Sequence, residues 1–169
     1  MRYTYMDSPV GELMLAGDND GLCWMGFADG AMARRAGAEW VRDPALLPVV
    51  REQLDAYFSG QLQQFDVPLA PRTTPFQRRV LDALCKVPYG TTISYSELAR
   101  RAGNPRAARA VGMANARNPI PVIIPCHRVI GAGGELTGFG GGLERKRWLL
   151  AHEQAHSAPL ARPQLAVAG

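Results

Sequence analysis

The sequence has little cysteine and little histidine, and neither residue is clustered. Its 169 residues include three cysteines and three histidines, with no CxxC pair among them. An odd, scattered set of cysteines argues against a disulfide framework, and the shortage of paired ligands argues against a structural zinc site. We expect Cys23 and Cys85 to act as small buried apolar residues.

Long apolar runs are also missing. No stretch approaches the ~20 residues that span a bilayer, and Met1–Val10 lacks the layout of a signal peptide. Apolar residues make up 47% of the chain and charged residues 20%, which excludes intrinsic disorder as the main state. We therefore expect a soluble, cytoplasmic protein of one large or two small domains.

Charge is divided unevenly along the chain. Residues 1–71 carry five arginines against ten acidic residues, whereas residues 72–155 carry 13 basic residues against five acidic ones. This division favours a polyanionic partner for the second part alone. An arginine-rich composition explains the same numbers, so charge by itself leaves nucleic-acid binding open.

The first part has the pattern of a small sheet with one helix. Apolar residues at helical spacing predict a helix over Leu46–Phe58 that ends at Gly60, and residues 28–44 indicate irregular structure or a short helix. Short β-type runs between turn-like segments predict strands at Met1–Met6, Glu12–Ala16 and Leu22–Phe27, with an edge strand at Phe65–Leu69.

The second part has a helical pattern and follows a linker at residues 70–74. Thr74 is placed to cap a helix that starts at Pro75. Capping-box spacing at Ser94 predicts a helix over Tyr95–Ala102, and a further helix is predicted from about Pro105 to Arg117. Two helices joined by a short glycine-containing turn are the layout of a helix-turn-helix, although an ordinary helical hairpin has the same pattern.

A last helix is predicted over Leu143–Glu153, after a glycine-rich loop at Gly131–Gly142. The loop spacing fits neither common nucleotide-binding motif, which argues against phosphate binding. The pattern alone places Glu153 at the solvated end of the helix, and we expect the tail at 156–169 to be flexible. The residues predicted to cover a core are Leu143, Trp148, Leu149, Leu150 and Ala151.

Cys126 lies next to His127 after a short buried run. The thiolate is the reactive form of cysteine, and a neighbouring histidine favours it. Because successive residues of a straight strand face opposite ways, cooperation between the two requires a turn or helix start here. On these residues alone, a structural role and a nucleophile–base role both stay open.

The surroundings of this pair resemble a known family. The runs IIPCHRVIGAGG (123–134) and TGFGGGLERKRWLLAHE (137–153) are similar to the active-site region of the O6-alkylguanine-DNA alkyltransferases, also called methylated-DNA–protein-cysteine methyltransferases. The resemblance extends back through VPYGTTISYSELARRAG and PRAARAVGMANARNP and covers about residues 73–155. The chain before residue 70 matches only loosely.

The resemblance implies an α/β fold in two domains. Residues 1–71 would form a small ribonuclease-H-like domain, and residues 72–155 a mostly helical, winged-helix-like domain with the helix-turn-helix. It implies single-turnover repair of double-stranded DNA, in which an alkyl group passes from O6 of guanine, or O4 of thymine, to Cys126. The nucleotide would be flipped out through the minor groove. The resemblance implies no cofactor, no metal and no obligate protein partner, so we expect a monomer.

It also implies roles for five catalytic residues. Cys126 would be the nucleophile, His127 the base that takes its proton through a water, and Glu153 the group that orients the imidazole. Tyr95 would donate to the departing base, and Asn118 would hold the hinge before the active-site segment.

Further residues would contact the DNA. Arg109 would take the place of the extruded nucleotide, and Phe139 stands where the family commonly has tyrosine. Small side chains beside Arg109 and backbone groups near the base complete the predicted contacts, at Ala110, Gly112, Val129 and Gly140. Two other functions remain as alternatives: a lesion sensor, which the presence of Cys126 disfavours, and a cysteine hydrolase, which has no need of a helix-turn-helix.

Overall fold

The computed structural model describes residues 1–29, 33 and 35–158 of the chain. In that part the elements follow in the order β1 (Arg2–Met6), β2 (Leu13–Asp18), β3 (Gly21–Phe27), β4 (Val41–Arg42), α1 (Pro48–Phe58), α2 (Pro75–Cys85), β5 (Ile93–Ser94), α3 (Tyr95–Arg101), α4 (Ala108–Ala116), a 3-10 turn (Cys126–Arg128), β6 (Val129–Ile130) and α5 (Leu143–Ala155). The predicted α/β fold, with a sheet first and helices after it, is confirmed.

The first part forms a four-stranded sheet in the order β3-β2-β1-β4. The strands β1, β2 and β3 are antiparallel, and β4 runs parallel to β1. Helix α1 has the buried stripe that its spacing predicts, with Val50, Leu54 and Tyr57 at its centre. Gly60 follows the helix at φ 80, a left-handed conformation that glycine adopts without a steric penalty.

One prediction for the first part is wrong. Phe65–Leu69 makes a single bridge, Leu22 with Leu69, because Pro68 has no N–H to continue a ladder. The described part of residues 28–44 is mostly irregular, as predicted, and includes the two-residue strand β4, whose exposed side chains give no apolar pattern. Residues 30–32 and 34 of that segment lie outside the described residues.

The capping signals of the second part are confirmed. The Thr74 hydroxyl accepts from the Gln77 amide at 3.2 Å, and the Ser94 hydroxyl accepts from the Glu97 amide at 3.1 Å. Helix α4 begins at Ala108, later than predicted, because residues 104–107 close a turn in which the Ala107 amide donates to Asn104. Helices α3 and α4 pack on each other and on α2.

Helix α5 differs most from its prediction. Leu149 is fully buried as expected, but Leu143 is 44% exposed and Ala151 is also exposed. The inward face carries polar side chains instead, namely Lys146, His152 and Glu153. Each of these has hydrogen-bond partners inside the protein, and these bonds offset the free-energy cost of removing a polar group from water.

The two parts of the chain share one apolar core. Residues from the sheet, from α1, from α2 and from α5 belong to a single buried cluster. The Met25 amide of β3 also donates to the Pro119 carbonyl at 2.8 Å, so the first part contacts the segment that leads to Cys126. Within the described ranges, no helix is long and apolar enough to cross a bilayer. Residues 159–169, most of the predicted tail, lie outside them.

Candidate active site

The segment before Cys126 is a tight loop that is held by hydrogen bonds of the Asn118 side chain. The Asn118 side chain donates to the Ile124 carbonyl at 2.7 Å and accepts from the Ile120 amide at 3.0 Å. Within this loop Val122 has φ 75, a conformation that costs a β-branched residue about 1–3 kcal/mol. The chain then enters the 3-10 turn Cys126–Arg128, so the predicted turn at the Cys126–His127 pair is confirmed.

Cys126 opens on a small cavity between the two parts of the chain. Cys126 is 5% exposed, and the cavity has a volume of about 50 Å³. Burial raises the pKa of Cys126 to about 11, against the opposing effects of the Asn118 side chain and the Lys146 charge. The thiol is therefore the favoured form of Cys126 at rest, and a base must take its proton before the sulfur can react. The lining comprises Trp24, Met25, Gly26, Phe27, Ala116, Asn118, Pro121, Cys126, Phe139, Gly140 and Gly141.

His127 and Glu153 form a buried pair. The His127 Nε2 atom lies 2.7 Å from Glu153 Oε2, and neither residue is exposed. Because an ionised carboxylate only accepts hydrogen bonds, Nε2 carries the proton and Nδ1 is left as an acceptor. Nδ1 is buried and has no hydrogen-bond partner among the described residues. Burial lowers the pKa of His127, so the ring is neutral and Nδ1 is available as a base.

The Glu153 carboxylate is the centre of a larger cluster. Arg128 pairs with it through two bonds, Nε to Oε1 at 2.8 Å and Nη2 to Oε2 at 2.9 Å. The Tyr57 hydroxyl donates to Oε2 at 2.6 Å, and the Gly90 amide donates to Oε1 at 3.3 Å. Burial alone would raise the pKa of Glu153, but the bonds from His127 and Arg128 hold it well below its usual range. Glu153 is thus inside the protein, not at a solvated helix end.

Lys146 is a second buried cation near the thiol. It is fully buried, and its Nζ donates to the carbonyls of Val129 at 2.5 Å and Thr137 at 2.6 Å. The Thr137 carbonyl also accepts from the Tyr95 hydroxyl at 3.0 Å. Lys146 therefore ties the glycine-rich loop to β6 and places a positive charge beside Cys126.

The predicted DNA-facing residues are spread over several elements. On α4, Arg109 and Ala110 are exposed, and Gly112 is half-buried against the Tyr95 ring. The Arg109 side chain makes no hydrogen bond or ion pair with the other described residues. Gly140 lines the Cys126 cavity, whereas Arg109, Ala110, Gly112, Tyr95 and Val129 are outside that lining.

The backbone of Val129 is already engaged at rest. Its carbonyl accepts from Lys146, and its amide donates to the Cys126 carbonyl. A carbonyl oxygen has two lone pairs, so the bond from Lys146 uses only part of its capacity as an acceptor.

The glycine-rich loop packs against the first part of the chain. A Cβ at Gly141 would lie 2.3 Å from the Phe27 ring, so only glycine fits there. Arg145 holds the same loop by donating to the Val10 carbonyl at 2.6 Å and the Gly141 carbonyl at 3.2 Å. Gly141 therefore allows close packing beside the cavity.

The remaining cysteines differ from each other. Cys23 is buried as expected, but Cys85, the last residue of α2, is exposed. Across residues 1–29, 33 and 35–158, no three His, Cys, Asp or Glu residues are grouped as metal ligands.

Acid is expected to destabilise the fold in two stages. The pKa of His127 lies below its ordinary 6.5, so the unfolded chain gains a proton that the folded state does not as the pH falls through that value. The pKa of Glu153 lies below its ordinary 4.5, so a second loss of stability begins there. Thermal unfolding followed by circular dichroism should show Tm falling in both ranges. His127→Gln should abolish the first decline only; a Tm that is constant down to about pH 4 would contradict both assignments.

Comparison with known proteins agrees with this site. Residues 1–71 match the family description "6-O-methylguanine DNA methyltransferase, ribonuclease-like domain", and residues 75–155 match "6-O-methylguanine DNA methyltransferase, DNA binding domain". A methylated-DNA–protein-cysteine methyltransferase of Methanosarcina acetivorans is 48% identical, over 90% of this chain and 98% of that protein. One of Mycolicibacterium paratuberculosis is 50% identical, over 93% of this chain and 94% of that protein.

Solved structures of similar sequence and fold are O6-methylguanine methyltransferases as well. The Mycobacterium tuberculosis O6-methylguanine methyltransferase superposes with a TM-score of 0.88 at 47% identity, over 96% of this chain and 98% of that one. The structure of Mycobacterium tuberculosis OGT in complex with DNA has a TM-score of 0.86 at 48% identity, over 92% of this chain and 94% of that one. With both parts matched and relatives this similar along their whole length, the chain belongs to the 6-O-methylguanine DNA methyltransferase family.

Proposed function

We propose that the protein repairs double-stranded DNA by moving a methyl or other alkyl group from O6 of guanine, or O4 of thymine, to Cys126, once per molecule. The observation that carries this is the state of His127. Its Nε2 is held by Glu153 at 2.7 Å, and its Nδ1 is a buried acceptor with no hydrogen-bond partner in the described part of the chain, one residue from Cys126, which lines the cavity.

The proposed step is an in-line displacement at carbon. The Cys126 sulfur bonds to the alkyl carbon while the carbon–oxygen bond breaks, and the electron pair leaves with the guanine. The thiol proton passes through a water to His127 Nδ1, and Glu153 stabilises the imidazolium. Tyr95 donates a hydrogen bond from its hydroxyl to the guanine anion, which takes up a proton from solvent while the His127 imidazolium releases its proton to solvent. The thioether has no good leaving group, so the protein is consumed, and no cofactor or metal takes part.

The proposal requires the base to enter the protein. At about 50 Å³, the cavity is small for a purine. We infer that the Phe139–Gly141 loop and β3 move apart when the nucleotide flips. Asn118 fastens the hinge, and Gly140 and the Val129 carbonyl meet the base through their backbones.

Helix α4 is the proposed DNA-binding element. Arg109 is exposed, and its side chain is not paired with any other described residue, so it is free to occupy the gap left by the nucleotide. Ala110 and Gly112 are small, so the surface of the helix can approach the minor groove closely. Sequence readout is weak in that groove. We also propose domains at 1–71 and 72–155 with a flexible tail at 156–169, and a monomer acting on chromosomal DNA in the cytoplasm.

Titration with excess damaged duplex tests this function. We expect methyl transfer from an O6-methylguanine duplex to stop at one equivalent per protein, and peptide mass spectrometry to find the methyl group on Cys126. The undamaged duplex of the same sequence is the control. Continued turnover would favour a cysteine hydrolase, and binding without transfer a lesion sensor; either result would overturn the proposal.

A further inference from the structure

Tyr57 connects the first part of the chain to two successive residues of α5. Its hydroxyl donates to Glu153 Oε2 at 2.6 Å, and its backbone carbonyl accepts from His152 Nε2 at 2.8 Å. Tyr57, like Glu153, is fully buried. The contact spans 96 positions of sequence and is made by the last turn of α1.

We propose that Tyr57 is a positioning residue, which holds the Glu153 carboxylate against His127 so that residues 1–71 complete the acid–base machinery of Cys126. The inference rests on the proposed function for its meaning in repair. What it predicts, however, is the reactivity of the Cys126 thiol, and that reactivity can be measured without DNA.

Tyr57 has this role because it is one of three donors that share the Glu153 Oε2 atom. Glu153 Oε2 accepts from Tyr57 at 2.6 Å, from His127 at 2.7 Å and from Arg128 at 2.9 Å. Arg128 is the only full cation of the three and already binds the other oxygen. Without the Tyr57 hydroxyl, the guanidinium draws the carboxylate towards itself. The bond to His127 then lengthens and the imidazole loses its fixed orientation.

Packing does not account for the hydroxyl. The Tyr57 ring contacts Phe58, Phe65, Tyr89 and His152, and a phenylalanine ring makes the same contacts. The neighbouring Tyr89 hydroxyl is buried without a hydrogen-bond partner among the described residues. The two tyrosines therefore form a matched pair. Replacing Tyr57 by phenylalanine removes a hydrogen bond to Glu153, whereas replacing Tyr89 by phenylalanine removes no such bond.

The test compares Tyr57→Phe with the native protein in two reactions across a range of pH. Methyl iodide reports on thiol reactivity without DNA, since the Cys126 sulfur displaces iodide and its proton passes to His127. Mass spectrometry quantifies the Cys126 peptide separately from that of the exposed Cys85. The O6-methylguanine duplex reports on repair in a single turnover. We expect both rates to fall about tenfold near neutral pH, with the midpoint of the pH profile moved to higher pH, because the base is less well oriented.

Two controls separate positioning from stability. Phe58→Leu loosens the same helix without touching Glu153, and should lower Tm while leaving the pH profile unchanged. Tyr89→Phe should leave the profile unchanged as well. If the Tyr57→Phe profile superimposes on the native one, or if Phe58→Leu shifts it equally, Tyr57 is structural only and the proposal is overturned. A native protein that reacts with methyl iodide but not with the duplex would instead refute the proposed function and leave this inference standing.

Discussion

The Cys126→Ser protein is expected to leave the methyl group on the DNA. Serine preserves the size of the side chain, but a hydroxyl is a much weaker acid and nucleophile than a thiol. Burial that already raises the pKa of the Cys126 thiol to about 11 opposes an alkoxide still more strongly. We expect the single-turnover transfer rate to fall at least about 10⁴-fold, measured as O6-methylguanine remaining in the duplex.

The other two cysteines provide controls for this loss. Cys23→Ser and Cys85→Ser should both transfer the methyl group at the native rate, since neither residue lines the Cys126 cavity. The Cys126→Ser protein should still bind the duplex in fluorescence anisotropy, because Arg109 and its helix are unchanged. Native-rate transfer by Cys126→Ser, or its loss in the exposed Cys85→Ser variant, would contradict the assignment of the nucleophile.

The second large effect is expected from Arg128→Met, and it concerns stability. The substitution leaves the Glu153 carboxylate buried without its countercharge, while methionine fills much of the same volume. Breaking one partner of a buried ion pair costs about 3–5 kcal/mol in the free energy of unfolding. Urea denaturation should therefore show a clear fall in the midpoint concentration.

Two further variants make this result specific. Arg72→Met removes an arginine that is 70% exposed and paired with Asp18, and should change stability by at most about 1 kcal/mol. The double variant Arg128→Met/Glu153→Leu removes both charges, so most of the stability should return while transfer stays abolished. If Arg128→Met is no more destabilising than Arg72→Met, the cluster does not depend on its guanidinium.

Local structure was predictable wherever a single residue determines it. Thr74 and Ser94 cap their helices because a side-chain oxygen reaches an amide three residues away, and sequence records that spacing directly. The turn at Cys126 followed from the need for adjacent residues to cooperate. The α5 boundaries were nearly right, although the face that it buries was not.

The cluster around Glu153 was not predictable from pattern, because its donors are distant in sequence. Tyr57 looks like one more apolar position of α1, and nothing in that stripe indicates that its hydroxyl meets α5. Lys146, one of two lysines in the chain, stands in the charged run ERKR and has the pattern of a solvated residue. Resemblance to a family pointed to Glu153 and His127, but only the folded chain shows Arg128 and Lys146 beside them.

The pairing of Glu153 with Arg128 has a consequence for ionic strength. The buried cluster holds a carboxylate and a guanidinium in contact, so it has no net charge around the neutral His127. Moving a proton from Cys126 to His127 rearranges charge inside the protein without adding any, and mobile ions, which screen over ~8–10 Å in solvent, do not reach it. Added salt therefore acts on the encounter with DNA, where counterions are released, and leaves the chemical step almost unchanged.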